Sequence, residues 1–187
     1  MVTGLDAVLV ILARINDVVL AVGRWIAATA IGIMVVVILI QVFFRYVLGN
    51  ALPWPDEAAR FLMLWMTGLI APSAYRQGGF VSIDLISSML PRRIGQALVL
   101  ILLALALVVL VMAFQLGLKH VNSGWLFNSS TLKIPGQLIG GRELPIKLAW
   151  MYMSLVVGIG LLVVVNIELI LRVLVGRPYS SSPARTA

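Results

Sequence analysis

Few residues of this sequence could carry chemistry, and their types restrict what that chemistry can be. Of the 187 residues, 7 are Asp or Glu, 1 is His and none is Cys. Without cysteine there is no thiolate nucleophile and no disulfide, and the single histidine, His120, cannot supply a bis-histidine haem site or a His-rich zinc site. The sequence therefore predicts no resident cofactor or metal, disfavours an enzyme or a haem subunit, and leaves His120 as a solvated loop residue.

The most informative ionisable residues lie between positions 45 and 60. Glu57 precedes Arg60 by about one helical turn, close enough for a side-chain pair, and Arg45 can approach the same carboxylate. Trp54 suits a lipid headgroup layer, and Asp56 faces the positive end of a new helix dipole. Nothing nearby supplies a nucleophile or a metal-binding set, so a catalytic dyad is disfavoured. Two interpretations stay open: a structural clasp, or a clasp that also contacts a partner.

A further candidate is Asp84, which follows the paired glycines at 78 and 79. Its carboxylate can cap a helix or pair locally, and the alternative is a solvated charge at the membrane surface. We group Asp84 with the residues of the clasp as a candidate structural or interface position.

These polar residues interrupt a chain that is otherwise strongly apolar. With 61% hydrophobic and 11% charged residues and a mean hydropathy of +1.08, a soluble globule of this length would leave too much apolar surface wet. A helix needs about 20 apolar residues to cross a hydrocarbon core of about 30 Å. Four blocks approach that length, so the sequence predicts a single all-α membrane domain over 1–187, with spans at about 25–48, 56–76, 94–118 and 145–172.

Residues 4–23 are also apolar but differ from the four spans. Asp6, Arg14, Asn16 and Asp17 fall within about half of a helical wheel. This pattern predicts an amphipathic helix in the membrane interface. We expect it to be retained, because charges interrupt the apolar stretch where a cleavable signal peptide has none. The alternative is a fifth span.

The cations indicate the orientation of the chain and its surroundings. If the four spans hold, 8 of the 14 Lys and Arg residues lie on the side of both termini and 6 on the other. That division favours cytoplasmic termini, with 176–187 as a flexible cytoplasmic tail. The net charge of +7 is scattered among connecting segments, so membrane lipids explain it better than nucleic acid does.

The longest connection, 119–144, is rich in Asn, Ser, Thr and Gly. Its polarity predicts that it leaves the hydrocarbon. Its apolar members, such as Trp125 and Phe127, can touch the interface or another protein.

The order and spacing of residues 44–65 form the most specific pattern in the chain. One arginine ends the first span, a tryptophan and a glutamate open the second, and another arginine follows three residues later. This pattern resembles the small membrane subunit of tripartite ATP-independent periplasmic (TRAP) transporters, and Arg45, Trp54, Glu57 and Arg60 match it. The similarity continues through 74–84 and 131–145. The family often has a basic or histidine residue shortly before the Asp84 position, where this chain has Phe80, and that departure weakens a polar role for the turn.

The resemblance implies a secondary transport complex in a bacterial inner membrane. There, a periplasmic substrate-binding protein delivers an organic acid, usually a carboxylate, to a large membrane subunit that moves it inward with sodium. The small subunit packs beside the large one as a scaffold. The residues agree, because a transport site needs polar groups or broken helices at the bilayer midplane, and the predicted spans offer few. The alternative is a self-contained homo-oligomeric four-span transporter or channel.

Overall fold

The computed structural model describes residues 4–78, 91–134 and 144–176. These residues form four α-helices and one β-hairpin: α1 (Gly4–Tyr46), α2 (Pro55–Arg76), α3 (Arg92–Gly124), β1 (Asn128–Ile134), β2 (Leu144–Lys147) and α4 (Ala149–Leu174). The helical architecture agrees with the predicted fold class. Asp84 and the predicted tail 176–187, apart from its first residue, lie outside the described residues.

Three of the described helices, α1, α3 and α4, are long and apolar enough to cross a membrane. Helix α2, whose 22 residues include Asp56, Glu57, Arg60 and Arg76, is not among them. The hydropathy of the described helices therefore supports three spans, and the fourth stays a prediction.

Helix α1 differs from its predicted division into an interfacial helix and a separate first span. It is one helix of 43 residues that runs through Gly23 and Arg24 without a break. No proline interrupts this stretch. Gly23 serves close packing instead of ending a helix, because a Cβ at this position would lie 3.4 Å from the carbonyl oxygen of Leu69 in α2. The helix ends before Gly49, whose φ of 63° is in the left-handed region that glycine readily adopts.

Helix α4 is the centre of the bundle and packs against α3, α2 and α1. One apolar core lies where the middle of α1, the N-terminal half of α3 and the C-terminal half of α4 meet. Its buried members are Leu20, Val99, Leu103, Val165, Leu169 and Val173. Most other large apolar side chains on α1 and α3 point outward and are exposed, as expected when lipid or a partner covers them.

The connection between α3 and α4 is more ordered than the predicted polar loop. Helix α3 continues past 118 to Gly124, and β1 and β2 then pair in antiparallel fashion, with Asn128 opposite Lys147 and Ile134 opposite Leu144. The first residues of the predicted fourth span belong to β2, so α4 begins only at Ala149. The amide of Leu148 donates to the carbonyl of Phe127 at 3.2 Å, which joins the two ends of the connection.

Candidate functional site

Two polar clusters lie at opposite ends of α2. The Glu57 cluster consists of Glu57 with Ser129, Thr131 and Leu132 of β1. The Glu168 cluster consists of Asn16 and Asp17 of α1, Arg76 of α2, and Glu168 and Arg172 of α4. Along α2, Glu57 and Arg76 are separated by about 28 Å at 1.5 Å per residue, close to the thickness of a hydrocarbon core. This spacing favours a position for each cluster near one surface of a bilayer.

The Glu57 cluster fixes the hairpin to the start of α2. Pro55 occupies the first turn of this helix, where its missing N–H costs no hydrogen bond, and Glu57 follows in the same turn. Its carboxylate accepts hydrogen bonds from the Ser129 hydroxyl at 2.6 Å, the Thr131 amide at 3.0 Å and the Leu132 amide at 3.2 Å. The Thr131 hydroxyl donates to it as well. This one carboxylate therefore accepts hydrogen bonds from the donors in the irregular part of β1, where the register of the two strands shifts.

The other residues of the predicted clasp lie near Glu57 in sequence but have different surroundings. Arg60, Trp54 and Asp56 are exposed at the start of α2. The guanidinium of Arg45 lies 5.7 Å from the ring centroid of Tyr46. Among the ion pairs of the described residues, none joins Glu57 to an arginine. The carboxylate is committed instead to donors more than 70 positions away in the sequence.

The Glu168 cluster was not anticipated from the sequence. The Glu168 side chain is 0% exposed. Its Oε1 accepts from Arg76 Nε at 3.1 Å and Nη2 at 2.8 Å, and from Arg172 Nε at 2.9 Å and Nη2 at 2.5 Å. Its Oε2 accepts from the Asn16 amide at 2.6 Å. The carboxylate thus joins side chains from α1, α2 and α4 in a site shielded from solvent.

Arg76 carries most of the connections between helices in this cluster. Besides Glu168, its guanidinium contacts Asp17 and donates to the carbonyl of Ala13 at 3.3 Å. The buried charge of Glu168 is paired with both arginines, as a buried carboxylate requires if desolvation is to be offset, whereas the Asp17 side chain is 66% exposed at the edge of the cluster. Two residues before Glu168, buried Asn166 donates to the carbonyl of Leu103 at 3.3 Å, which connects α3 to the same level of α4.

The sequence contained two signals for this cluster. Buried residues of α1 follow a heptad-like spacing, Leu9, Asn16, Leu20, Gly23 and Ala27, in which an Asn occupies an otherwise apolar stripe. Glu168 and Arg172 are spaced i, i+4 inside a strongly apolar helix. The prediction assigned Asn16 to the water-facing side of an interfacial helix, but it is only 2% exposed and faces the bundle.

Between the clusters, α2 and α4 approach closely through small residues. A Cβ on Gly158 would lie 2.8 Å from the Cα of Gly68, and one on Gly68 would lie 2.6 Å from the Ser154 carbonyl oxygen. The hydroxyls of Thr67 and Ser154 donate to carbonyls of their own helices, at 2.8 Å and 2.6 Å. An apolar groove of about 160 Å³ opens beside this contact. The contact brings no ionisable group to the middle of the bundle.

The two clusters organise a helical membrane bundle but contain no assembled reactive site. Within the described ranges, no group of three or more His, Cys, Asp or Glu residues could hold a metal ion. The family model of the DctQ component of tripartite ATP-independent periplasmic transporters matches residues 34–176. The chain belongs to the DctQ family.

Membership of the DctQ family confirms the resemblance carried by residues 44–65. DctQ proteins are components of a transporter, not an enzyme family, and they work with a large DctM subunit and a DctP binding protein. The apolar helices and the family together indicate a multi-pass membrane protein. A search of curated proteins finds no match.

Proposed function

We propose that this DctQ protein is the scaffold of a sodium-coupled TRAP transporter that takes up an organic acid, most simply a carboxylate. It would hold the large membrane subunit in a bacterial inner membrane, with both of its own termini in the cytoplasm. Substrate and sodium would be bound by the partner chains.

The observation that carries this proposal is the distribution of polar groups in the bundle. The carboxylates of Glu57 and Glu168, at the two ends, accept hydrogen bonds from donors of their own chain at both oxygens. In the middle of the bundle, α2 and α4 approach closely at Gly68 and Gly158. A transport site needs unengaged polar groups or broken helices near the midplane. Such a bundle is better suited to support a neighbouring transport subunit than to conduct a solute.

The exposed residues around the Glu57 cluster support a contact with partners at that end. Arg45 at the end of α1, and Trp54 and Arg60 at the start of α2, have exposed side chains open to a neighbour. Since Glu57 fixes the hairpin beside them, hairpin and arginines would form one surface facing the large subunit and the substrate-binding protein. Asp84 stays a candidate for the opposite surface.

Co-purification followed by reconstitution tests the scaffold role. The chain is expressed with and without its large subunit, purified, and placed in proteoliposomes with a sodium gradient, binding protein and labelled organic acid. We expect retention of the large subunit, uptake only when both membrane chains are present, and no uptake by this chain alone. A pure homo-oligomer that moves solute would overturn the proposal in favour of a self-contained transporter or channel.

A further inference from the structure

The N-terminal part of α1, residues 4–23, presents three different sectors around the helix. One sector, with Leu9, Asn16 and Leu20, is buried. A second holds Asp6, Arg14 and Asp17 within about 80° of the helical wheel at 100° per residue. The third is purely apolar. We call it the apolar arc, and its members are Val8, Ile11, Ile15, Val18 and Val22.

None of the described residues covers the apolar arc. Its five side chains are between 52% and 62% exposed. They also fall within about 80° of the wheel, in a sector whose centre lies about 120° from the centre of the charged sector. A contiguous apolar surface formed by five exposed side chains marks a site covered by lipid or by another protein. The same segment also has a charged face, and a helix surrounded by hydrocarbon would hold those charges away from water.

The arc continues into the part of α1 that is apolar enough to span the membrane. Ile26, Ile33, Val36 and Ile40 extend the same side of the helix and are also exposed. The charged sector ends at Arg24, whose guanidinium donates to the Ser73 hydroxyl of α2 at 2.9 Å, one turn before Arg76 in that helix. One apolar side therefore runs along the helix from Val8 to Ile40, while the charges beside it end at Arg24, next to the Glu168 cluster.

We propose that the apolar arc lies in the acyl-chain boundary of the leaflet on the Glu168 side, with Asp6 and Arg14 toward headgroups and water. An interfacial helix has this combination of one apolar and one charged face. The inference goes beyond the scaffold role and does not depend on which side of the membrane is cytoplasmic. In this arrangement Asn16 faces the bundle, so only some of the polar residues of 4–23 meet water.

A consequence follows from the continuity of α1. Residues 4–17 extend about 20 Å past the level of Asp17, whereas a headgroup layer is only about 5–7 Å deep. An upright helix would carry Val8 out of the lipid. Helix α1 therefore crosses this surface obliquely, with Val18 deeper than Val8.

The chain contains no cysteine, so single-cysteine labelling tests the inference directly. Val8→Cys and Val18→Cys place a label on the apolar arc. Val10→Cys is a matched control, because Val10 is exposed to a similar degree but lies on the charged side. Each variant carries an environment-sensitive fluorophore and is reconstituted, with the large subunit, in vesicles of phosphatidylethanolamine and phosphatidylglycerol. Quenching by nitroxide lipids is compared with quenching by aqueous iodide.

We expect nitroxide lipids to quench the labels at Val8 and Val18 at least threefold more than the label at Val10, with the deeper position at Val18. Iodide should quench the label at Val10 most. Equal iodide quenching at Val8 and Val10 would overturn the proposal by placing the segment in water. Equal lipid quenching at all three sites would make the segment part of a span, and shielding of Val8 from both quenchers would mean that a protein covers the arc. Loss of uptake in unlabelled Val10→Cys is not expected.

Discussion

The Glu57 and Glu168 clusters give one residue type two different environments. Glu57 is half-buried and accepts hydrogen bonds from neutral hydroxyl and amide donors of a hairpin. Glu168 is fully buried and accepts from two guanidinium groups and an amide on three helices. The first arrangement holds a surface segment in place, and its loss leaves a carboxylate that water can reach. The second is tied to the helix packing, because loss of either arginine leaves the charge of Glu168 less well paired in a site that water does not reach.

Removing Arg76 is expected to have the largest effect. In Arg76→Ala, Glu168 keeps Arg172 but loses its partner from α2, and Asp17 loses its contact as well. Breaking a buried ion pair costs about 3–5 kcal/mol. We expect a strongly reduced yield of folded protein and a lower melting temperature in detergent. Arg60→Ala is the matched control, since Arg60 is exposed, and a similar loss in both variants would contradict a special role for the Glu168 cluster.

The helix contact between the clusters should give the next largest effect. Gly68→Ala places a Cβ 2.6 Å from the Ser154 carbonyl oxygen, a backbone atom that cannot rotate away. Overpacking of this kind costs about 1–3 kcal/mol. Gly32→Ala adds the same atom to α1 with nothing within 4 Å and should leave the melting temperature unchanged or slightly raised, because alanine favours a helix interior over glycine. If both variants melt alike, α2 and α4 are not in the close contact described.

Glu57→Gln isolates the charge in the Glu57 cluster. The amide retains an oxygen acceptor but loses the charge that strengthens bonds from Ser129, Thr131 and Leu132. We expect local opening of the hairpin to become easier by about 1.4 kcal/mol, or about tenfold faster amide exchange at Thr131 and Leu132, with little change in global melting.

Asp56→Asn is the control for that exchange measurement, because Asp56 is the exposed neighbour. Hairpin exchange that stays unchanged in Glu57→Gln, or that changes equally in Asp56→Asn, would remove Glu57 from the role of hairpin anchor.

Asn16→Leu is expected to have the smallest effect. It removes the hydrogen bond to Glu168 Oε2 but fits an apolar side chain into the buried stripe of α1. With both arginines still in place, the cost should be about 1 kcal/mol, seen as a shift of a few degrees in melting temperature. A loss as large as that of Arg76→Ala would show that the amide, and not the pairing of charges, holds the Glu168 cluster together.

The sequence predicted the parts of this protein that depend on composition and local spacing. Apolar blocks located α1, α3 and α4, and the spacing from Arg45 to Arg60 indicated the family. Residue Glu57 was identified as a candidate, but its partners were not, because the donors on β1 come from a segment that is distant in sequence. Local spacing favoured Arg60 as the partner of Glu57. Arg60 lies on an exposed helix surface, where its side chain can point away from Glu57.

The Glu168 cluster, the surroundings of residues 4–23 and the hairpin could not be predicted, for similar physical reasons. Arg76 and Glu168 are 92 positions apart, and each alone resembles an ordinary charge at the end of a helix. A polar patch on residues 4–23 looks the same whether it faces water or a second helix. The hairpin is built from residues that also suit a loop, and its register depends on a bulge that Glu57 stabilises.

The length of α1 also bears on how members of the DctQ family can be recombined. The family match begins at residue 34, in the middle of α1, whereas Asn16 and Asp17 lie upstream of it and contact Glu168 and Arg76 within it. A chimera that exchanges only the matched region would pair a foreign α2 and α4 with the original N-terminal segment. Compatibility would then depend on whether the new helices bring an arginine and a glutamate to the same level. The natural unit of exchange therefore starts at the beginning of α1.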